Sequence, residues 1–118
     1  MIIKLSGQLP SGKNAVQVTR TGHRYPKPQF VAWRAKALAQ LAAQNIGKEA
    51  LNAPLHATIS YIPGDLRRRD APGIIDALWH LLEHAGIVTD DKLIQSIDYK
   101  QYDLDRLNPR CTIVLTPR

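Results

Sequence analysis

Apolar residues along this chain fall into stretches of two different periods. Residues 2 to 6, IIKLS, are β-prone and end at Gly7, which predicts a first strand. Residues 9 to 29 carry Pro and Gly breaks and the scattered cations Lys13, Arg20, Arg24 and Lys27, and predict a loop or short hairpin. From Pro28 to about Gly47 the period becomes helical. Phe30, Trp33, Ala37, Leu38, Leu41 and Ile46 share one stripe, the alanines favour helix, and Gly47 is the expected stop. Phe30 and Trp33 lie in that stripe, which assigns them to the core rather than to a platform for stacking bases.

Alternation returns at residues 53 to 62. Leu55, Ala57, Ile59 and Tyr61 point to one side, and His56, Thr58 and Ser60 to the other, where His56 is expected to be solvent-exposed. Pro63 and Gly64 end this strand. A second helix is expected from Ala71 or Pro72, since proline suits a first helical turn. Its apolar stripe is Ile74, Leu78, Leu81, Leu82 and Ala85, its polar side is Asp76, His80, Glu83 and His84, and Gly86 stops it. The link IVTDD leads to a strand from Leu93 to Tyr99, a charged loop, and a last strand at 111 to 116. This order predicts an α/β protein of the mixed α+β kind, a single domain over residues 1–118 in which a mixed β-sheet packs with two main helices.

Composition narrows the class. A chain of 118 residues has the size of one domain, and 44% hydrophobic residues suffice for a core without disulfides. The lone Cys111 is expected to be a small buried side chain. No apolar run has the length of a membrane helix, and MIIKLSGQLPSG lacks the pattern of a signal peptide. The expectation is a soluble cytoplasmic protein with no membrane partner. Lysine and arginine number 16 against 10 acids, a net charge of +6 and a pI near 9.8. That excess favours polyanionic partners, although charge alone leaves nucleic acids and acidic proteins both open.

The chemistry gathers between Asp65 and Lys92. Arg67, Arg68 and Arg69 are followed at once by Asp70, and the far end of the second helix leads to Asp90, Asp91 and Lys92. Arginines bind phosphate through charge-assisted, often bidentate bonds. Clustered carboxylates suit Mg²⁺, which takes one or two of them together with waters and substrate phosphate. The same acids also have ordinary uses, Asp70 as a helix-capping residue and Asp90 and Asp91 as turn formers. His80-Leu81-Leu82-Glu83-His84 matches the H-x-x-E-H pattern of inverted zinc peptidases, but no glutamate follows Glu83 to serve as a further ligand. An amphipathic helix with a wet face explains that pattern better.

The run RRRD, a helix containing DAL, and then AG-x-x-x-DD resemble the RusA family of Holliday-junction resolvases, with similarity across nearly the whole chain. The resemblance implies a homodimeric, Mg²⁺-dependent endonuclease (Mn²⁺ serving as well) that cuts branched, four-way DNA in recombination and repair. By position it assigns metal binding to Asp70, Asp90 and Asp91, and catalysis to Asp70 and Asp91. Arg67, Arg68, Arg69, Lys13 and Lys92 would hold DNA phosphates. The family pattern after the arginines is close to D-x-D-N-x-x-K, whereas this chain has Pro72, Gly73 and Asp76 at the last three defined positions. Asp76 lies one turn beyond Pro72 and is a candidate to replace the lost carboxylate. A catalytically degraded protein that binds branched DNA without cutting it is the alternative.

Overall fold

The alternation at residues 55–62 marks one of the two strands that lie inside the sheet. The computed structural model describes residues 1–12, 16–44, 46, 49–67 and 70–118. In chain order the elements are β1 (Ile2–Ser6), β2 (Val16–Val18), β3 (Arg24–Pro26), α1 (Pro28–Ala43), β4 (Leu55–Ile62), α2 (Ala71–His84), a 3-10 turn (Asp91–Leu93), β5 (Ile94–Gln101) and β6 (Arg110–Pro117). The main sheet has the order β1-β6-β4-β5. β6 runs antiparallel to both β1 and β4, while β5 runs parallel to β4. A parallel neighbour needs a crossover, and α2 supplies it. β2 and β3 form a separate two-stranded ribbon, so the stretch expected as loop or hairpin contains a short hairpin.

One face of the sheet is the core. Ile3, Leu5, Leu55, Ala57, Ile59, Tyr61, Cys111, Ile113 and Leu115 are buried there against Ile74, Leu78, Leu81 and Leu82 of α2 and Ala37 and Leu41 of α1. Each leucine buried this way contributes about 2 kcal/mol. Phe30 is buried beside Ala77, with Trp33 packed against both. Burial pushes the Cys111 thiol up to about 12, so it stays protonated.

Two boundaries and one exposure differ from the expectations. α1 ends at Ala43, and Gly47 lies outside the described residues. Gln44 is held by β1 instead. Its amide donates to Lys4 O at 2.6 Å and accepts from Lys4 N at 2.8 Å. One turn earlier, Gln40 Oε1 accepts from Ser6 N at 2.8 Å. Two glutamines four residues apart thus satisfy the outer edge of β1, which would otherwise be open to pairing with another strand. β5 starts at Ile94 rather than Leu93, because Asp90 Oδ1 accepts from Lys92 N at 2.9 Å and winds residues 91–93 into the 3-10 turn. His56 is half-buried rather than simply exposed; its Nδ1 lies 2.6 Å from Ser96 Oγ and its Nε2 3.3 Å from Asp98 Oδ2 of the neighbouring strand. Among the described residues no helix is long and apolar enough to cross a membrane.

Candidate metal centre and nucleic-acid interface

The end of α2 turns the chain back on itself. Gly86 adopts φ 72°, a left-handed conformation that costs glycine little. Ile87 N donates to Leu82 O at 3.0 Å and Gly86 N to Glu83 O at 3.0 Å, the paired bonds of a Schellman ending. Ile87 and Val88 are then buried, and Leu51 and Thr89 pin the returning chain through Leu51 N to Ile87 O and Thr89 N to Leu51 O. This reversal carries Asp90 and Asp91 back against the last turn of α2. Asp91 N donates to Glu83 Oε1 at 2.7 Å.

Carboxylate oxygens of Glu83, Asp90 and Asp91 all lie within 4.8 Å of one another. Asp91 is half-buried, and the other two are exposed. Its carboxyl is held above the ordinary 3.8, first by desolvation, then by the charges of Glu83 and Asp90 and a hydrogen bond with Asp90, with Lys92 pulling the other way. Three crowded oxygen donors of like charge fit a hard divalent cation, which would relieve the repulsion between them. That donor set does not distinguish Mg²⁺ from Mn²⁺. Sequence reasoning placed Glu83 on the wet side of α2 and missed it. The available signal was the short reversal through Ala85 and Gly86, which returns the acid pair to the last helical turn.

The histidines do not join this cluster. Arg34 Nη1 donates to His80 Nε2 at 3.0 Å, and the His80 and His84 rings stack with centroids 5.8 Å apart. Burial, the Arg34 charge and His84 lower the His80 pKa, so its ring is neutral near pH 7.

Asp70 stands at the opposite end of α2. It occupies the N-cap position in extended conformation without a side-chain capping bond to the helix. α2 has 14 residues, so Asp70 and Glu83 are separated by about 20 Å along its axis. Asp70 and Asp91 therefore do not meet within one chain. The first turns of α2 are covered instead by residues 11–12. A Cβ built on Gly73 would collide with Ser11 Oγ and lie 3.3 Å from Asp70 Oδ2. A Cβ on Gly12 would lie 2.6 Å from Asp76 Oδ2 and 2.9 Å from Ala77 N. Two glycines thus permit a close approach that any side chain would block. Asp76, exposed on α2, lines a cavity with Gly12, Arg34 and His80 rather than standing with the acid cluster.

The basic residues divide. Arg67 is exposed, with its N–H donating to Asp65 Oδ1 at 3.0 Å. Lys92 is exposed beside the acid cluster. Arg68, Arg69 and Lys13 lie outside the described residues. The loop leading to the arginines is anchored from the core. The fully buried Tyr61 hydroxyl accepts from Leu9 N at 3.0 Å and donates to Gln8 Oε1 at 2.8 Å. Gln8 in turn accepts from Gly64 N and donates to Asp65 Oδ2 at 2.9 Å.

Fold and site together define a small basic α+β protein with a carboxylate cluster at one end of its crossover helix and an arginine segment at the other. No protein-family model matches the chain. Over 88 residues it is 31% identical to the crossover junction endodeoxyribonuclease RusA of Aquifex aeolicus, covering 74% of this chain and 69% of that protein. The chain belongs to the RusA family.

Proposed function

We propose that this protein is a divalent-metal-dependent endodeoxyribonuclease that cuts four-way DNA junctions in recombination and repair; its Aquifex relative bears the name crossover junction endodeoxyribonuclease. The observation that carries this reading is the convergence of Glu83, Asp90 and Asp91 within 4.8 Å. A bound Mg²⁺ would supply charge neutralisation at the scissile phosphate and a lowered pKa for a coordinated water. Glu83 holds Asp91 in place through its backbone N–H, and Lys92 stands beside the acids to receive a phosphate oxygen. Arg67, with Arg68, Arg69 and Lys13, would hold the DNA backbone, and the net charge of +6 favours its approach.

A homodimer fits this reading. Symmetric cutting of two strands calls for two sites. The length of α2 also means that Asp70 can serve the same metal as Asp91 only if a second copy brings it there.

A second reading is favoured by one observation: Pro72 and Gly73 replace an acid and an asparagine of the family pattern. The protein would then bind branched DNA without cutting it. A labelled four-way junction and a linear duplex, incubated with the protein in Mg²⁺, Mn²⁺ or EDTA, separate the two. Paired, metal-dependent incisions in the junction that vanish in Asp91→Asn support the nuclease. Salt-sensitive, junction-selective binding with no incision supports the binder, and equal affinity for both DNAs contradicts either.

A further inference from the structure

A cavity of about 170 Å³ lies between the β2–β3 ribbon, α1 and α2. Val16, Pro26 and Phe30 give it apolar walls, and Arg34, Asp76 and His80 give it a polar side. Gly12 lines it as well, packed so closely on α2 that a Cβ there would lie 2.6 Å from Asp76 Oδ2. Val16 and Pro26 are cross-strand partners at the open end of the ribbon, and Val16 is 51% exposed, so the apolar wall reaches the surface.

We propose that this cavity takes one unpaired nucleobase of the bound DNA and reads its hydrogen-bonding edge. The inference rests on the proposed nucleic-acid function. A nucleobase is flat and apolar on its faces and polar only at its edge, which is how the cavity is divided. The Asp76 carboxylate only accepts, so it favours the two-hydrogen exocyclic amine of adenine, cytosine or guanine over thymine, whose only donor is the single ring N3–H. The Arg34 guanidinium only donates, so it takes a ring nitrogen or carbonyl oxygen next to that amine. Because His80 Nε2 accepts from Arg34, the neutral ring carries its proton on Nδ1, and the bond fixes the guanidinium. A paired base has this edge occupied, so the cavity suits a base that has left its pair.

Position adds to the argument. Asp76 and Glu83 are seven residues apart on α2, hence on the same face and about 10 Å apart along the axis. A base held at Asp76 would place a phosphate within about three stacked nucleotides at the acid cluster. The cavity would then set which base lies near the cut.

The test needs no cleavage. Anisotropy with labelled homopolymers of dA, dC and dT and an abasic strand of equal length, all in EDTA, gives the affinities. The expected result is that dA and dC bind about fivefold or more tightly than dT and the abasic strand. Asp76→Asn, which turns one acceptor oxygen into a donor, should collapse or reorder that ranking. Val16→Trp, an exposed plug at the cavity mouth, should weaken dA and dC while leaving the abasic strand unchanged. Equal binding of all four strands by wild type overturns the proposal. So does an Asp76→Asn effect of the same size on every strand, which would be charge alone. A protein that ranks bases but never cuts keeps this inference and loses the nuclease; one that cuts without ranking loses only this inference.

Discussion

Asp91 is the residue on which crowding should be measurable without any DNA. Replacing it with asparagine keeps the backbone N–H that bonds Glu83 and removes one of three like charges. At 4.8 Å two unit charges repel by about 0.9 kcal/mol in bulk water. Asp91 faces two such partners, and Lys92 and salt offset part of that, which leaves about 1 kcal/mol. The sign follows from the raised pKa of Asp91. The folded state holds its proton more tightly than the unfolded chain, so the favourable contribution is complete below the ordinary 3.8 and is lost as pH rises through the raised value. At pH 7 without metal the wild type therefore carries both the desolvation of the Asp91 carboxylate and its repulsion by Glu83 and Asp90. Asp91→Asn should melt about 3–6 °C higher in EDTA at pH 7, and this advantage should vanish near pH 3. Added Mg²⁺ should stabilise the wild type by mass action and leave the variant nearly unmoved. Differential scanning fluorimetry across pH with and without Mg²⁺ reads all of this. A variant that melts lower than wild type in EDTA at pH 7, or that gains as much from Mg²⁺, would refute the reasoning.

Other positions give independent checks. Gly73→Ala gains about 1 kcal/mol of helix propensity but drives a methyl into Ser11 Oγ, so it should lower the melting temperature by several degrees, and adding Ser11→Gly should restore it. Tyr61→Phe leaves the Leu9 N–H without its partner and should cost about 1–3 kcal/mol in urea denaturation; an unchanged midpoint would show that the buried hydroxyl does not anchor the loop before the arginines. Cys111, with its thiol pushed up to about 12, should resist a disulfide reagent at pH 8 in the native state and react rapidly in urea.

Much of the fold was legible because period and burial coincide. Leu55, Ala57, Ile59 and Tyr61 alternate and are all buried, and the apolar stripe of α2 faces the sheet. β5 was less clear. It is an edge strand, and its Ile97 remains 41% exposed although its β4 partner Ala57 is buried. The end of α1 depended on Gln44, whose amide bonds to a strand 40 residues away, a contact that no local signal announces.

The candidate site was legible in its parts but not in its arrangement. Asp90 and Asp91 stand out as a pair in the sequence, yet the carboxylate that meets them is Glu83, brought by the turn at Gly86. The family resemblance assigns Asp70 to the same metal, but a straight helix of 14 residues keeps it about 20 Å away in the same chain. Asp76 sits one turn from the missing acid, but what it faces is set by Gly12 and Arg34, residues that carry no site signature of their own.

The central claim is that Glu83, Asp90 and Asp91 form the metal centre of a junction nuclease. The most direct measurement is the rate of four-way junction incision against Mg²⁺ concentration for wild type, Glu83→Gln and Asp91→Asn, with junction affinity in EDTA recorded for each. The account predicts saturable incision by the wild type, a curve for Glu83→Gln displaced about tenfold or more to higher Mg²⁺, and no incision by Asp91→Asn, with all three binding the junction equally or better without metal. Superimposable Mg²⁺ curves for wild type and Glu83→Gln, or undiminished cutting by Asp91→Asn, would contradict it.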